Sequence, residues 1–240
     1  MSVQAQALLE LEGVHAHYGK SHILHGVDFH VAPGEVVSLL GRNGSGRSTT
    51  MKTIMGLVQP TGGEILLQGK KIAGARPFEV CRAGVAFVPE ERDVFHNLTV
   101  DENLRMGEQG APAGRTRWTV EQMFDYFPRL KERRNTRAGS LSGGEQQMLT
   151  MCRSLLGNPL VILIDEPTEG LAPKIVQVVG EVIRDIHNKG VSVVLVEQKL
   201  AIALKVSSRV CVMGHGRIVF EGSPQELTSN QQLMTDWLAV

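Results

Sequence analysis

The stretch Gly41-Arg42-Asn43-Gly44-Ser45-Gly46-Arg47-Ser48-Thr49 decides the fold class of this 240-residue chain. The apolar residues 35–40 before it predict a strand, and the pattern of apolar positions over residues 48–57 predicts a helix. A glycine-rich loop between a strand and a helix is the context of a phosphate-binding loop. Its three glycines permit backbone angles that turn the amides toward phosphate groups. The stretch therefore predicts a nucleotide-binding α/β protein.

Arg47 stands where the phosphate-loop pattern has lysine. Its guanidinium is a planar fork with fixed donors, whereas a lysine ammonium is a compact point charge. We expect weakened nucleotide binding or turnover, with turnover affected more because transition-state geometry is the stricter demand. The alternative is that the loop relaxes and Arg47 substitutes adequately. Ser48 is expected to place its hydroxyl on Mg²⁺, and Thr49 to bond a phosphate oxygen.

A second motif, Val161-Ile162-Leu163-Ile164-Asp165-Glu166-Pro167, ends an apolar run with two carboxylates. Asp165 is expected at the C-terminal end of a buried strand, the edge at which open parallel sheets bind ligands. A carboxylate there can hold Mg²⁺ through water. Glu166 can orient or deprotonate the attacking water, so we predict that it is catalytic.

A third motif, Leu141-Ser142-Gly143-Gly144-Glu145-Gln146-Gln147, places a serine and two glycines at the start of a predicted helix. The start of a helix binds anions, so the chain has a second phosphate-binding terminus. One chain cannot easily direct both termini at one γ-phosphate, but two chains arranged head to tail can. The motif therefore predicts a dimer in which each chain completes the other's site.

The rest of the chain predicts a single domain with an inserted lobe. Strands are expected over residues 7–32, and helices then alternate with strands from residue 144 onward, which indicates a largely parallel sheet. Residues 91–139 are charged, contain several prolines and glycines, and show a helical pattern over residues 120–127. We assign residues 1–90 and 140–240 to the core and residues 91–139 to a helical lobe.

Composition excludes some functional classes. The 25 basic and 25 acidic residues balance, so no strong charge favours nucleic acid. The first residues do not have a signal-peptide pattern, and the apolar runs are far shorter than the roughly 20 residues of a membrane helix. The three cysteines lack metal-ligand spacing and are expected to be buried thiols. The eight histidines show no metal-ligand spacing along the chain either.

Together the three motifs resemble the ATP-binding subunits of ABC transporters, over nearly the whole chain. The resemblance implies a RecA-like phosphate-loop core with mixed or parallel strands, an N-terminal antiparallel β part, and a helical lobe. It also implies two ATP molecules, with Mg²⁺, held between two such subunits. Tyr18 matches the aromatic residue that stacks on adenine, although His17 is an equally near candidate. The ATP-binding residues implied by motif and resemblance are Tyr18, Gly41, Arg42, Asn43, Gly44, Ser45, Gly46, Arg47, Ser48, Thr49, Ser142, Gly143 and Gly144.

Two departures from the wider family narrow the resemblance. Glu90 stands where most members have a glutamine, and Gln198 stands where most have a histidine. Together with Glu169-Gly170-Leu171-Ala172-Pro173 and residues 95–104, these two positions make the chain resemble the shorter ATPase subunit of branched-chain amino acid importers. In that subfamily the shorter subunit pairs with a longer sister ATPase. Gln198 can donate a hydrogen bond to the γ-phosphate, and the metal ligands expected are Ser48, Glu90 and Asp165.

The importer resemblance implies a peripheral position on the cytoplasmic face of the membrane. Its expected partners are a second ATP-binding subunit, transmembrane permease subunits and, indirectly, a periplasmic solute-binding protein. Phe95 is expected either to contact the membrane partner or to pack in the core. Two alternatives stay open: import of urea or amides by the same machinery, and a structural or regulatory subunit whose turnover is small because of Arg47.

Overall fold

The computed structural model describes residues 7–110 and 117–238. Its strands, in chain order, are β1 (Leu9–Tyr18), β2 (Ser21–Val31), β3 (Val36–Leu40), β4 (Pro60–Leu67), β5 (Lys70–Lys71), β6 (Val85–Val88), β7 (Val161–Asp165), β8 (Ser192–Val196), β9 (Arg209–Gly214) and β10 (Arg217–Gly222). Its helices are α1 (Arg47–Ile54), α2 (Pro77–Ala83), α3 (Val100–Gly107), α4 (Val120–Tyr126), α5 (Pro128–Glu132), α6 (Gly143–Leu155), α7 (Pro173–Asn188), α8 (Leu200–Val206), α9 (Pro224–Ser229) and α10 (Gln231–Leu238).

Two sheets form the framework. The larger has the order β10-β9-β3-β8-β7-β6, and every pairing in it is parallel except that of β10 with β9. The smaller has the order β2-β1-β4-β5 and is antiparallel throughout. The strand order of the larger sheet places the ends of β3 and β7 on either side of β8, so the phosphate loop and Asp165 lie at the same edge. This arrangement confirms the predicted α/β core with an antiparallel N-terminal part.

Successive residues of the parallel strands alternate between two hydrophobic cores, as side chains on a pleated strand must. In β7, Val161 and Leu163 pack in the core between the two sheets, which also contains Met51 of α1. Ile162 and Ile164 pack on the other face, against the buried side of α6 and α7. Apolar packing on both faces therefore holds β7, the strand that ends at Asp165.

The segment predicted to form the lobe contains α3, α4 and α5, while residues 111–116 of it lie outside the described residues. Its buried side chains, such as Leu104 and Phe124, belong to the same core as Ile162 of the parallel sheet. The lobe is therefore packed on the sheet without a separate core. Its boundaries at residues 91 and 139 stay a prediction.

Strand β10, helix α2 and the exposure of Cys81 differ from what the sequence predicts. Strand β10 and helix α2 were not predicted. Residues 217–222 alternate half-buried and exposed side chains at the sheet edge, so they lack the apolar run by which the inner strands are recognised.

The expectation of three buried cysteines is wrong for Cys81, which lies exposed on α2, and holds for Cys152 and Cys211. Among the described residues, no helix is long and apolar enough to cross a membrane.

Candidate functional site

The phosphate loop joins β3 to α1 and forms one side of a cleft of about 400 Å³. Gly41, Gly44 and Gly46 all have positive φ angles, at 147°, 79° and 109°. A Cβ on Gly41 would lie 2.4 Å from the carbonyl oxygen of Met213, so this position requires glycine. Helix α1 begins at Arg47 without a side-chain cap, which leaves its first amides available to an anion.

Arg47 is almost fully buried, and its Nη2 lies 3.1 Å from Oε1 of Glu166 and 3.3 Å from Oδ1 of Asn43. The two charged side chains are 5% and 6% exposed, so water screens their attraction weakly. The other guanidinium nitrogen of Arg47, Nη1, has no hydrogen-bond partner although it is buried, and neither does the hydroxyl of Ser45. Orphaned donors in a loop of free amides fit a phosphate group.

Asp165 is the last residue of β7, and Glu166, which follows it, lines the cleft. Asp165 accepts a hydrogen bond from Ser48 Oγ at 3.3 Å, which joins the two predicted magnesium ligands. Glu166 has a φ of 44°, a backbone conformation that is unfavourable for a residue with a side chain. Its backbone N–H donates a hydrogen bond to the carbonyl oxygen of Val196 at 2.9 Å, which helps to hold this conformation. Gln198 donates to Oε2 of Glu166 at 2.6 Å. The two predicted catalytic residues are therefore in contact.

Glu90 lines the cleft and belongs to a group of three carboxylates of which Asp165 is not a member. Oxygen atoms of Glu90, Glu166 and Glu169 all lie within 4.8 Å of one another. Burial, a hydrogen bond with Glu169, and the charge of Glu166 raise the pKa of Glu90, in that order. Burial likewise raises the pKa of Glu166 despite its bonds to Gln198 and Arg47. Crowded carboxylates of this kind fit a divalent cation, which supplies the missing positive charge.

The cleft brings together most of the residues predicted for the site. It is lined by Asn43, Gly44, Ser45, Gly46, Arg47, Ser48, Thr49, Glu90, Glu166 and Gln198, with the addition of Ile23 and Glu169. Arg42 faces away, and its Nη2 donates to the carbonyl of Thr235 at 3.1 Å. Tyr18 is the last residue of β1 and is 49% exposed, a position open to a flat ligand.

The third motif forms the start of α6. Ser142 caps the helix by accepting from the amide of Glu145 at 3.4 Å, and Glu145 in turn accepts from Ser142. The guanidinium of Arg92 lies over Gly143, because a Cβ there would be 2.0 Å from Nη1. Ser142, Gly143 and Gly144 are not among the described residues that line the cleft of their own chain.

Sequence reasoning missed Glu169 and Arg92 as members of the site. In the sequence Glu169 is recognisable only as part of the string Glu169 to Pro173 that resembles the importer subfamily. Glu169 follows Glu166 by three residues, and a carboxylate at that spacing could have suggested a shared cation. No sequence pattern places Arg92 over Gly143, since the contact depends on the packing of two distant loops.

Residues 24–169 match the sequence profile of the family described as ABC transporter. The chain belongs to this family. It is 41% identical to the high-affinity branched-chain amino acid transport ATP-binding protein BraG of Pseudomonas aeruginosa, over 96% of this chain and 99% of that protein. It is 33% identical to the probable branched-chain amino acid transport ATP-binding protein LivF of Archaeoglobus fulgidus, over 94% of this chain and 96% of that protein.

A solved dimeric ATP-binding cassette in a post-hydrolysis state, bound to ADP and Pi, has the same fold. It superposes with a TM-score of 0.78 at 26% sequence identity, covering 90% of this chain and 98% of that structure. Membership in the ABC transporter family confirms the predicted ATPase class and the predicted RecA-like core. ATP is the nucleotide of the family, and the free amides and orphaned donors of the phosphate loop fit its phosphates.

Proposed function

We propose that this ABC ATPase drives import of branched-chain amino acids by closing head to tail, on ATP and Mg²⁺, with a second ATP-binding subunit. Two relatives are named for branched-chain amino acid transport, and one of them matches almost end to end at 41% identity. These relatives support branched-chain amino acids as the proposed solute. Import of urea or amides by the same machinery is the alternative, since the residues that line the described cleft are those expected to bind a nucleotide and none of them would select a solute.

The observation that carries head-to-tail closure is the separation of the two phosphate-binding helix starts. Arg47 begins α1 inside the cleft, whereas the start of α6 lies outside the residues that line it. Ser142 is exposed, and neither it nor Gly143 and Gly144 are among the described residues that line the cleft of their own chain. A second subunit brings such a helix start onto the γ-phosphate, where its amides and dipole stabilise negative charge.

Within the cleft, each side chain has a role that its position allows. Ser48 and Asp165 hold Mg²⁺, and Glu90 extends the acidic side of that cation site. Glu166 accepts a proton from the attacking water, and Gln198 orients Glu166 and reaches the γ-phosphate. Tyr18 stacks on adenine. The raised pKa of Glu166 brings this base closer to neutral pH than an exposed glutamate.

The membrane partner is proposed to dock beside Phe95 at the cytoplasmic face. Phe95 is 47% exposed and Met106 is 63% exposed, and both line a groove of about 280 Å³ between the lobe and the parallel sheet. Arg153 stacks on the Phe95 ring at 4.7 Å, which holds the ring in place. Exposed apolar side chains at a groove are typical of protein contacts. A permease subunit at this groove is consistent with a chain that acts at the membrane through partners.

Sedimentation of the Glu166→Gln variant tests the proposal. With the base removed, ATP and Mg²⁺ should bind without turnover, so the chain, alone or with its sister subunit, should sediment as an ATP-dependent dimer. The matched control is Glu64→Gln, at an exposed residue of strand β4, which should hydrolyse ATP like the wild type. A Glu166→Gln chain that binds ATP yet stays monomeric with every candidate subunit would contradict head-to-tail closure.

Uptake measurements separate the possible solutes. Cells that lack the gene should lose uptake of leucine, isoleucine and valine, and should regain it with the wild-type gene but not with the Glu166→Gln variant. Loss of urea or amide uptake instead, with leucine uptake unchanged, would favour the alternative solute. Retained uptake with Glu166→Gln would favour a regulatory subunit with little turnover of its own.

A further inference from the structure

Four histidines gather on the outer face of the hairpin formed by β1 and β2. Pairing of the two strands places His15 opposite His25, and His17 opposite His22. The intervening Ala16 and Leu24 are fully buried, so the alternation of the strands turns the histidines away from the core. These four residues, the histidine cluster, lie outside the cleft that binds ATP.

His22 is the centre of the cluster. Its ring centroid is 4.0 Å from that of His17, with the rings nearly parallel at 7°, and 3.9 Å from that of His25. The third neighbour, His15, has its centroid at 5.2 Å. Between His15 and His22 the contact is made by nitrogens, because Nδ1 of His15 lies 3.1 Å from Nε2 of His22.

The distance between these two nitrogens suits a shared metal ion. Two imidazole nitrogens bound to one tetrahedral zinc ion at about 2.0–2.1 Å lie roughly 3.3 Å apart. In the metal-free protein one ring donates a hydrogen bond to the other. When that hydrogen moves to the other nitrogen of the donor ring, the ring stays neutral and a second lone pair becomes available to the ion. Neutral imidazole is the form that binds metals.

We infer that the histidine cluster binds a divalent transition-metal ion of the Zn²⁺, Ni²⁺ or Cu²⁺ class, with His15 and His22 as its first two ligands. His17 and His25 flank His22 and supply further imidazole nitrogens when their rings turn. Imidazole selects late first-row metals over Mg²⁺, which prefers carboxylate and water oxygens. The site is therefore chemically distinct from the carboxylates of the ATP cleft, and the inference does not depend on the proposed transport function.

An ion at this position would tie β1 to β2 across the hairpin. Tyr18 and Ser21 form the last pair of the two strands, directly beside His17 and His22. A metal bridge closes a very short loop here, so its main effect is to restrict opening of the hairpin end rather than to stabilise the whole domain. Hydrogen exchange of the hairpin amides reports that restriction directly.

The test uses the full chain without a polyhistidine tag, titrated with Zn²⁺ in the presence of excess Mg²⁺. We expect one Zn²⁺ per chain, slower exchange of the amides of residues 15–25, and at least tenfold weaker binding in His22→Asn. His30→Asn, a histidine change on the same strand outside the cluster, is the matched control and should bind like the wild type. Cu²⁺ bound to the wild type should show nitrogen hyperfine splitting from at least two imidazoles in electron paramagnetic resonance.

Three results would overturn the inference. The first is Zn²⁺ affinity in His22→Asn equal to that of the wild type. The second is loss of Zn²⁺ binding in Glu166→Gln but not in His22→Asn, which would assign the ion to the carboxylates. The third is a Cu²⁺ spectrum with no nitrogen splitting, a result that stands even if the His22→Asn chain were misfolded.

Discussion

The guanidinium of Arg47 has two competing partners, the carboxylate of Glu166 and the phosphates of a bound nucleotide. In the structure it pairs with Glu166 at 3.1 Å, while its second nitrogen, Nη1, is buried without a partner. Breaking a buried ion pair is costly unless the freed charges find new partners. Nucleotide binding supplies one for Arg47, but Glu166 must then exchange its bond to Arg47 for a water. This competition supports the proposal that Arg47 lowers turnover.

Replacing Arg47 by lysine should raise turnover. The shorter ammonium can hold the phosphates as a point charge while releasing Glu166, so we expect roughly a tenfold increase in kcat with a smaller change in KM. The measurement is Mg²⁺-dependent ATP hydrolysis by the assembled subunits. Arg76→Lys, a change at an exposed arginine that pairs with Glu79, is the control and should leave kcat unchanged. Equal kcat for Arg47→Lys and wild type would show that the guanidinium substitutes adequately.

Stability should fall with rising pH because of the acidic cluster. The folded protein raises the pKa of Glu90 above its ordinary value of 4.5, so the folded state holds its proton more tightly than the unfolded state. The stabilisation that comes from this tighter proton binding is fully present below pH 4.5. It is lost as the pH rises through the raised pKa of Glu90. Urea denaturation across this window should show the decline in the nucleotide-free wild type.

Removing one carboxylate or adding a cation should reduce that decline. Glu90→Gln deletes a charge from the cluster, so its free energy of unfolding should vary less with pH above 4.5 than that of the wild type. Mg²⁺ should have the same effect on the wild type, and a smaller one on Glu90→Gln. A pH profile of Glu90→Gln that superposes on the wild-type profile would mean that the cluster does not control stability in this range.

Among the elements, the start of helix α6 has a structural role, capping the helix, and a proposed role in contacting the partner's ATP. A substitution can distinguish the two roles. Ser142 and Glu145 form a capping box, and Ser223 and Glu226 form the same box at the start of α9. Each serine side chain satisfies an amide that the helix leaves unpaired. The start of α6 has the additional proposed role of contacting the partner's ATP, which the start of α9 does not share.

Ser142→Ala and Ser223→Ala should therefore cost similar stability but differ in activity. Each should lower the free energy of unfolding by about 1 kcal/mol, the usual value of an N-cap side chain. Only Ser142→Ala should weaken ATP-dependent dimerisation and reduce ATP hydrolysis, by roughly tenfold for one lost contact to the γ-phosphate. If both variants hydrolysed ATP at the wild-type rate, the start of α6 would have only its capping role.

The elements also differ in how far their sequences predict them. Strands β7 and β8 are continuous apolar runs, and α7 has a wide apolar face, so periodicity alone predicts them. Edge strand β10 has one face in solvent and half-buried side chains on the other, so its pattern is weak. Its position is determined by pairing with β9, an interaction that no local pattern in residues 217–222 encodes.

For the whole molecule, a small polar network joins the lobe to the core in addition to their shared hydrophobic packing. The hydroxyl of Tyr126 on α4 donates to Asp185 on α7 and accepts from Lys189 at 2.9 Å. The ammonium of Lys189 also lies 4.2 Å from the centre of the Trp118 ring. These contacts join helix α4 of the lobe to helix α7 of the core and to Lys189, which follows it.

Tyr126→Phe should lower the free energy of unfolding by about 1–2 kcal/mol, because a half-buried hydroxyl that makes two charged hydrogen bonds is lost. Urea denaturation measures the change, and the other tyrosine of the chain provides the control. Tyr18→Phe removes an exposed hydroxyl and should leave stability within about 0.5 kcal/mol of the wild type. Equal stability of the two variants would exclude the network as a tie between lobe and core.

The sequence by itself determined the class of the protein, because its motifs are local. A glycine-rich loop, an apolar strand that ends in Asp165 and Glu166, and a capped helix start at Ser142 each act within a few residues, and each is recognisable from spacing. Tertiary structure alone decided which distant groups meet: Arg47 with Glu166, Glu90 with Glu169, and His15 with His22. Such contacts depend on strand register and loop packing over the whole chain, and register moves a side chain from one face to the other with a shift of a single residue.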